Sequence, residues 1–277
     1  MNIIKSFFLP FIAFLAIFST ACEFNNHSIK VIQPQKGLYI VDIDASNPNI
    51  QISPYISQGL ETVDSVAIKT NSIVAINAGF FDPSNQKTTS YVVKDSVIAA
   101  NPYDNEHLIT NESLKPYLAN ILNRSEFRIL SDANGKISFD IARHNSKPSF
   151  GMTLIHSIQA GPELYPCLAQ EEEGFVVRQN GKTIRDSVGA LQQHARSAVA
   201  FKGNHLYLIA LSNENKATLQ DLTNFLKPFS FDKIMAFDGG SSTSLYVKLK
   251  GKVLVDITSA KDNSARRVKS ILLVSNK

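Results

Sequence analysis

The sequence predicts an α+β fold: one domain on a mixed, largely antiparallel β-sheet core with a few flanking helices. Three observations carry this. Short apolar or alternating runs recur along the chain, as strands require. Turn signals of the Asn-Pro, Asn-Gly and Gly type separate them at hairpin spacing. Helical spacing is convincing in only about three places and does not alternate regularly with the strands, which argues against a doubly wound sheet.

In order along the chain, Leu38, Ile40, Val41 and Ile43 alternate, then Ile50 and Ile52, with Asn47-Pro48-Asn49 between them as the turn of an expected hairpin. Val63, Val66 and Ala67 are spaced as a helix within Glu61 to Asn71. The compact run Ile73-Val74-Ala75-Ile76 reads as a buried strand, and Tyr91 to Ile98 as a strand pair turning near Lys94-Asp95. Leu114, Leu118, Ile121 and Leu122 mark a helix that tolerates Pro116 only near its start. Phe127 to Ile141 is a hairpin about Asn134-Gly135. Short strands follow at Phe175–Val177, Ala198–Phe201 and Leu206–Leu211. Thr218 and Asp221 form a capping box for a helix with Leu222, Phe225 and Leu226 on its apolar side, ended by Pro228. The strand Lys233 to Phe237, a hairpin turning at Gly251 and the strand Ser270 to Val274 complete the order.

The 277 residues are 44% hydrophobic and 19% charged, enough apolar material for a full core. The net charge is +4, and the densest basic cluster is Arg266-Arg267 with Lys269. No basic stripe or nucleic-acid motif is present, so no nucleic-acid partner is expected. The six histidines have no paired ligand spacing, and there is no phosphate-binding loop, dinucleotide fingerprint or Gly-x-Ser-x-Gly elbow. No metal and no cofactor is expected.

The amino-terminal residues carry a targeting signal. Lys5 precedes an apolar run from Phe7 to Phe18, too short to span a bilayer and the size of a signal-peptide core. It ends in Ser19-Thr20-Ala21-Cys22, which is similar to a lipobox. Residues 1–21 are therefore expected to be a lipoprotein signal peptide, with Cys22 acylated and the product anchored in the bacterial cell envelope, facing the periplasm or the cell surface. Polar residues 22–36 are expected as a tether and 37–277 as the domain. The remaining cysteine, Cys167, is expected as a small buried hydrophobe. Oligomeric state is not legible.

Three polar segments sit at the ends of apolar runs. In Asp238-Gly239-Gly240-Ser241-Ser242-Thr243-Ser244, the glycines allow close backbone approach to a ligand, and turned N–H groups with hydroxyls can bind an anion. Asp238 can act as acid, base or nucleophile, or cap its own turn. In Asn77-Ala78-Gly79-Phe80-Phe81-Asp82, the amide can donate and accept to a sugar, and the aromatic pair either walls a sugar site or fills the core. In His194-Ala195-Arg196-Ser197, the guanidinium suits a phosphate or a carboxylate partner, and His194 is either a ligand contact or a surface residue.

These segments, in this order, resemble the phosphodiester glycosidase family, the uncovering-enzyme domain. Its Asn-Gly-Gly-Phe-Phe motif stands as Asn77-Ala78-Gly79-Phe80-Phe81, its Gly-Pro as Gly161-Pro162, its His-Pro-Arg-Thr-Ala as His194-Ala195-Arg196-Ser197-Ala198, and its Asp-Gly-Gly-Gly-Ser-Thr as Asp238-Gly239-Gly240-Ser241-Ser242-Thr243. The resemblance runs from about Leu38 to the carboxyl end, with extra sequence near residues 100–145. It implies hydrolysis of a sugar-1-phosphodiester to a free sugar and a phosphomonoester. It implies catalytic roles for Asp238, Arg196 and Asn77, and substrate contacts from Gly79, Phe80, Asp82, Gly161, His194, Gly239, Gly240, Ser241, Ser242 and Thr243. The partners it implies are a glycan or sugar-phosphodiester substrate and, through the lipid, a membrane. Ala78 and Ser241 replace glycines; if those positions require positive φ, the site is reshaped. A phosphoglycan-binding lipoprotein without turnover and a hydrolase using Ser242 or Ser244 as nucleophile are the rival readings.

Overall fold

A computed structural model describes residues 24–26, 28–259 and 265–277. The expected signal peptide and Cys22 lie outside the described residues. The strands and α-helices run in the order β1 (Phe24–Asn26), β2 (Ile29–Gln35), β3 (Leu38–Asp44), β4 (Ile50–Glu61), α1 (Val63–Lys69), β5 (Val74–Asn77), β6 (Val92–Lys94) and β7 (Val97–Ala100). Then come α2 (Glu106–Ile109), α3 (Leu118–Leu122), β8 (Ser125–Ser131), β9 (Ile137–Arg143), β10 (Thr153–Gln159), β11 (Glu163–Tyr165), β12 (Val176–Gln179) and β13 (Lys182–Asp186). The chain continues through β14 (Arg196–Lys202), β15 (His205–Leu211), α4 (Leu219–Leu226), β16 (Lys233–Ala236), β17 (Ser244–Leu249), β18 (Lys252–Thr258) and β19 (Val268–Asn276).

The fold is α+β, as the sequence predicts, but the core is divided among several sheets. One orders β1-β2-β3-β15-β14-β16-β11, a second β7-β6-β10-β8-β9, a third β18-β17-β5-β19-β4, and β12 with β13 forms a separate hairpin. Every ladder among the described residues is antiparallel, so no parallel component appears. Strand alternation builds the interior. Val74 and Ile76, Leu245 and Val247, and Leu272 and Val274 point into the main core. Their neighbours Ala75, Tyr246, Ile271 and Leu273 point the other way, against Val63, Val66 and Ala67 of α1. The sheet holding β5 is thus covered on both faces, and this is why β5 reads as a continuous apolar run.

Most expected elements form. The capping box of α4 is present, with Thr218 and Asp221 exchanging both bonds. Gly135 and Gly251 adopt positive φ at the two hairpin turns. One expected hairpin fails because strand pairing is decided by partners far away in sequence. Leu38–Ile43 and Ile50–Ile52 do not pair with each other. β3 lies between β2 and β15, β4 pairs β19, and the Asn47 turn carries the chain from one sheet to another. Residues 22–36 are not a simple tether either. β2 pairs β3, and Ile29 and Val31 alternate into the core at 1% and 4% exposure. Cys167, expected buried, is exposed and unbridged.

Candidate active site

The carboxyl ends of β5 and β16 and the amino end of β14 come together, although β5 belongs to a different sheet from the paired β14 and β16. The Asn77 side chain joins them. Its Nδ2 donates to the Asp238 carbonyl at 2.6 Å, and its Oδ1 accepts from the Ser197 hydroxyl at 2.7 Å and the Ser244 amide at 3.0 Å. Backbone bonds add to this stitch: Asp238 N–H to Ala78 C=O, Phe237 N–H to Ser197 C=O and Gly240 N–H to Ala195 C=O, each 2.8 Å. Gly240 has φ +60°, and a side chain on Gly239 would press on the Ala195 carbonyl at 3.1 Å. Both positions therefore demand glycine.

Above this floor opens a cleft of about 710 Å³. Asp238 is partly exposed in its wall and hydrogen-bonded by the Ser242 hydroxyl and the Gly239 N–H. Burial outweighs those bonds and the nearby Arg266, and pushes its carboxyl up to about 6. It is the sole carboxylate lining the cleft among the described residues, beside Arg124, Arg185, Lys216 and Arg266. Arg266 lies over the Phe81 ring with its centre 5.7 Å from the centroid, and its Nη1 donates to Ser241 Oγ at 2.9 Å.

The expected site residues divide into two groups. Phe80, His194, Asp238, Gly239, Gly240, Ser241 and Ser242 line the cleft. Asn77, Gly79, Asp82, Gly161, Arg196 and Thr243 do not, and for each there is a local reason. Asn77 is fully buried in the floor. Gly79 packs so closely that a Cβ would meet the Gln159 carbonyl and Ser90 at 3.0 Å. Asp82 caps its own turn through the Ser84 N–H and bonds His107 at 2.8 Å. Gly161, at φ +88°, leaves room for the Glu173 carboxylate, which a Cβ would meet at 2.3 Å. Thr243 is buried beneath the turn.

Arg196 is the largest revision. Its position beside the Asp-Gly-Gly turn is as expected, with Cδ 3.5 Å from where a Gly239 side chain would begin. Yet the guanidinium donates to three carbonyls: Nε to Ala217 at 2.9 Å, and Nη2 to Gly189 and Gln192 at 2.6 Å each. Through these bonds it fastens the loop that carries His194. Burial lowers its pKa to about 10, so it remains charged at neutral pH. Burial first, and then Arg196 and Lys216, lowers the His194 pKa, leaving the ring neutral at pH 7.

The two departures from glycine are accommodated. Neither Ala78 nor Ser241 has positive φ. Ala78 fills the core, and Ser241 supplies the acceptor for Arg266. Ser242 is bonded to a carboxylate rather than to an imidazole, so the serine-nucleophile reading gains no base. Sequence reasoning missed Arg124, Arg185 and Lys216 as cleft residues and read Arg266 only as part of a basic cluster. Arg124 stands just before β8, where a single cation ahead of a strand is the available signal.

The fold and cleft define a class, an antiparallel α+β scaffold whose cleft holds one acid among cations, and known proteins narrow it. The chain superposes on a hypothetical protein from Synechocystis with TM-score 0.55 at 17% identity over 93% of its length, while spanning 61% of that protein. It superposes on the zebrafish N-acetylglucosamine-1-phosphodiester alpha-N-acetylglucosaminidase catalytic domain, a form auto-inhibited by its pro-peptide, with TM-score 0.59 at 15% identity, covering 90% of this chain and 82% of that one. A Burkholderia pseudomallei K96243 protein, provisionally named as exported, gives TM-score 0.56 at 13% identity, covering 89% and 74%. At these identities the likeness speaks for the fold. No match was found among curated proteins. The sequence profile of the phosphodiester glycosidase family matches residues 70–275, and the chain belongs to that family. No helix among the described residues is long and apolar enough to cross a membrane.

Proposed function

We propose that this protein hydrolyses the glycosidic C–O bond of a sugar-1-phosphodiester, releasing free sugar from a phosphorylated glycan or envelope polymer. The observation that carries the reading is the charge inventory of the cleft: one carboxylate, Asp238, among four cationic side chains. Ordinary glycosidases need two carboxyl groups, one to protonate the departing oxygen. A phosphodiester leaves as a stable anion, so that acid is dispensable and positive charge is needed instead. Arg266 stands next to Asp238 and is held by Ser241 and Phe81, so it is placed to neutralise the departing phosphate.

In the reaction a water oxygen bonds to the anomeric carbon, the bond from that carbon to the phosphate oxygen breaks, and the phosphomonoester keeps the bonding electron pair. Asp238 accepts the water proton, or attacks the anomeric carbon first and is released by water in a second step. A carboxyl titrating near 6 is ionised at neutral pH and basic enough to accept a proton there. Phe80 and Phe81 offer apolar faces to the sugar. Asn77 and Arg196 act at one remove, as positioning residues for the Asp238 turn and the His194 loop. The reading is tested by incubating the purified protein and its Asp238→Asn form with sugar-1-phosphodiesters and assaying free sugar. Turnover by the wild type that vanishes in the variant is expected; equal turnover would end the assignment, and binding without turnover in the wild type would favour a phosphoglycan-binding role.

The same proposal places the enzyme outside the cytoplasm, lipid-anchored through Cys22 in the cell envelope. Mass spectrometry of the mature amino terminus tests this: an acylated Cys22 supports it, and an unmodified terminus at another residue removes it.

A further inference from the structure

The proposed reaction leaves two cleft arginines without a role. Arg124, just before β8, is 6% exposed and lines the cleft. Its guanidinium lies 3.7 Å from the Phe175 ring centroid and 5.4 Å from that of Phe80. Among the described residues its single hydrogen bond runs from Nε to the Glu173 carbonyl at 3.4 Å, and the buried Nη2 has no partner. The Glu173 carboxylate does not satisfy it, because its oxygens accept from the Ser125 N–H, the Ser125 hydroxyl and the Glu163 N–H.

Other buried arginines here are treated differently. Arg128 also has an unpartnered nitrogen, Nη1, but it pairs with Glu126 at 2.7 Å and donates to three carbonyls; Arg196 donates to three carbonyls. A buried guanidinium with one long bond is costly and calls for an explanation outside the fold. Arg185 adds a second cation. It lies over the Tyr117 ring at 4.6 Å, bonds Gly174 C=O and Ser187 Oγ, and also lines the cleft. Burial above all lowers the Arg124 pKa, to about 9; the Glu173 charge opposes this and the Arg185 charge adds to it. Aromatic faces hold both guanidinium planes in fixed orientation, which suits paired donation to an oxyanion.

We propose that Arg124 and Arg185 form a second oxyanion subsite, which takes a phosphate or carboxylate group of the same glycan beyond the bond being cleaved. The preferred substrate is then a polyanionic glycan rather than a singly charged sugar phosphodiester. The substrate half of this inference rests on the proposed glycosidase reading; the binding half does not.

Two measurements on the full chain separate them. In the first, calorimetry follows inorganic tripolyphosphate binding to wild type, Arg185→Gln and Arg124→Gln. Arg185 is half-buried, so its variant keeps the core intact. Binding about tenfold weaker in Arg185→Gln is expected, and affinity equal to wild type in that variant overturns the subsite whatever becomes of Arg124→Gln. In the second, kcat/KM is compared for the methyl diester of N-acetylglucosamine-1-phosphate, a phosphate-linked two-repeat oligomer of that sugar, and the corresponding methyl diester of a uronic acid. Wild type should prefer at least one doubly charged substrate by about tenfold, and Arg185→Gln should bring the ratio near one. Preference for the oligomer assigns a phosphate to the subsite, and preference for the uronic acid assigns a carboxylate. Equal rates on all three overturn the substrate claim. If nothing is hydrolysed, the glycosidase reading falls and the tripolyphosphate measurement still decides the subsite.

Discussion

The floor of the cleft and its wall are built on opposite principles. In the floor the groups that join the strands are matched: Asn77 makes three hydrogen bonds and Arg196 donates to three carbonyls, and only small hydroxyls beside them, Thr243 and Ser244, lack a partner among the described residues. In the wall, Asp238 is held near pKa 6 by burial, and Arg124 keeps one long bond. A matched polar group stabilises its own surroundings and has little left for a ligand. An unmatched one destabilises the fold and is available for chemistry. Residue type therefore does not separate the two roles, since both regions use a guanidinium; the count of partners does.

The sharpest way to break this contrast is Asp238→Asn. The side chain keeps its shape and loses its basicity, so turnover of a sugar phosphodiester should fall by about 10³-fold or more. The melting temperature at neutral pH should hold or rise. Loss of turnover together with unfolding would mean that Asp238 belongs to the floor.

Floor residues should behave in the opposite way. Asn77→Ala leaves the Ser197 hydroxyl, the Ser244 N–H and the Asp238 carbonyl without their buried partner. Stability should drop by about 3 kcal/mol in denaturant titration, with activity falling because the Asp238 turn loosens. Arg196→Met should cost a similar ~3 kcal/mol. An Asn77→Ala protein of unchanged stability that fails to bind substrate would make the amide a ligand contact after all.

A pH titration separates the regions again. Asp238 is raised from 3.8 to about 6 in the folded state. Between those values the folded chain binds more protons than the unfolded one, so this group's contribution falls as pH rises and is fully lost above about 6. The unfolding free energy of wild type minus that of Asp238→Asn should therefore decline by about 2 kcal/mol from pH 4 to pH 7. Over the same range kcat/KM should climb on an acid limb centred near pH 6, as Asp238 ionises. A flat difference curve would place Asp238 in ordinary solvent and remove its case as a tuned base.

The sequence made the floor legible and left much of the wall hidden. Asn77, Gly79, Arg196 and Gly239 sit at strand ends in contiguous motifs, and their spacing is fixed by the strands that deliver them. Their roles were harder to read, because a side chain that recognises a sugar hydroxyl and one that recognises a serine hydroxyl are the same asparagine. Arg124, Lys216 and Arg266 come from three separate connections and Arg185 from β13, and they converge only when the sheets close over the core. Part of that wall, Leu108, Leu114, Ile121 and Arg124, lies in the extra sequence near residues 100–145. Local strands are legible for the same reason that the β3–β4 hairpin is not. Alternation is a property of a few residues, whereas pairing partners such as β4 and β19 lie more than two hundred residues apart.

Ser241 sits at the boundary of the two regions and gives the smallest and most specific test. Its backbone belongs to the floor turn, and its hydroxyl reaches into the wall to accept from Arg266 Nη1 at 2.9 Å. Because φ there is not positive, Ser241→Gly relieves no strain and should leave stability within about 0.5–1 kcal/mol. What it removes is one of the contacts orienting Arg266; the Phe81 ring remains. A partly exposed, charge-assisted bond of this kind contributes about 1 kcal/mol, so kcat/KM should fall by roughly two- to fivefold, and Ser241→Thr should retain most of it. If Arg266 neutralises the departing phosphate, the deficit should grow for substrates whose phosphomonoester is a poorer leaving group. A deficit of constant size across leaving groups would move Arg266 from the chemical step to ground-state binding.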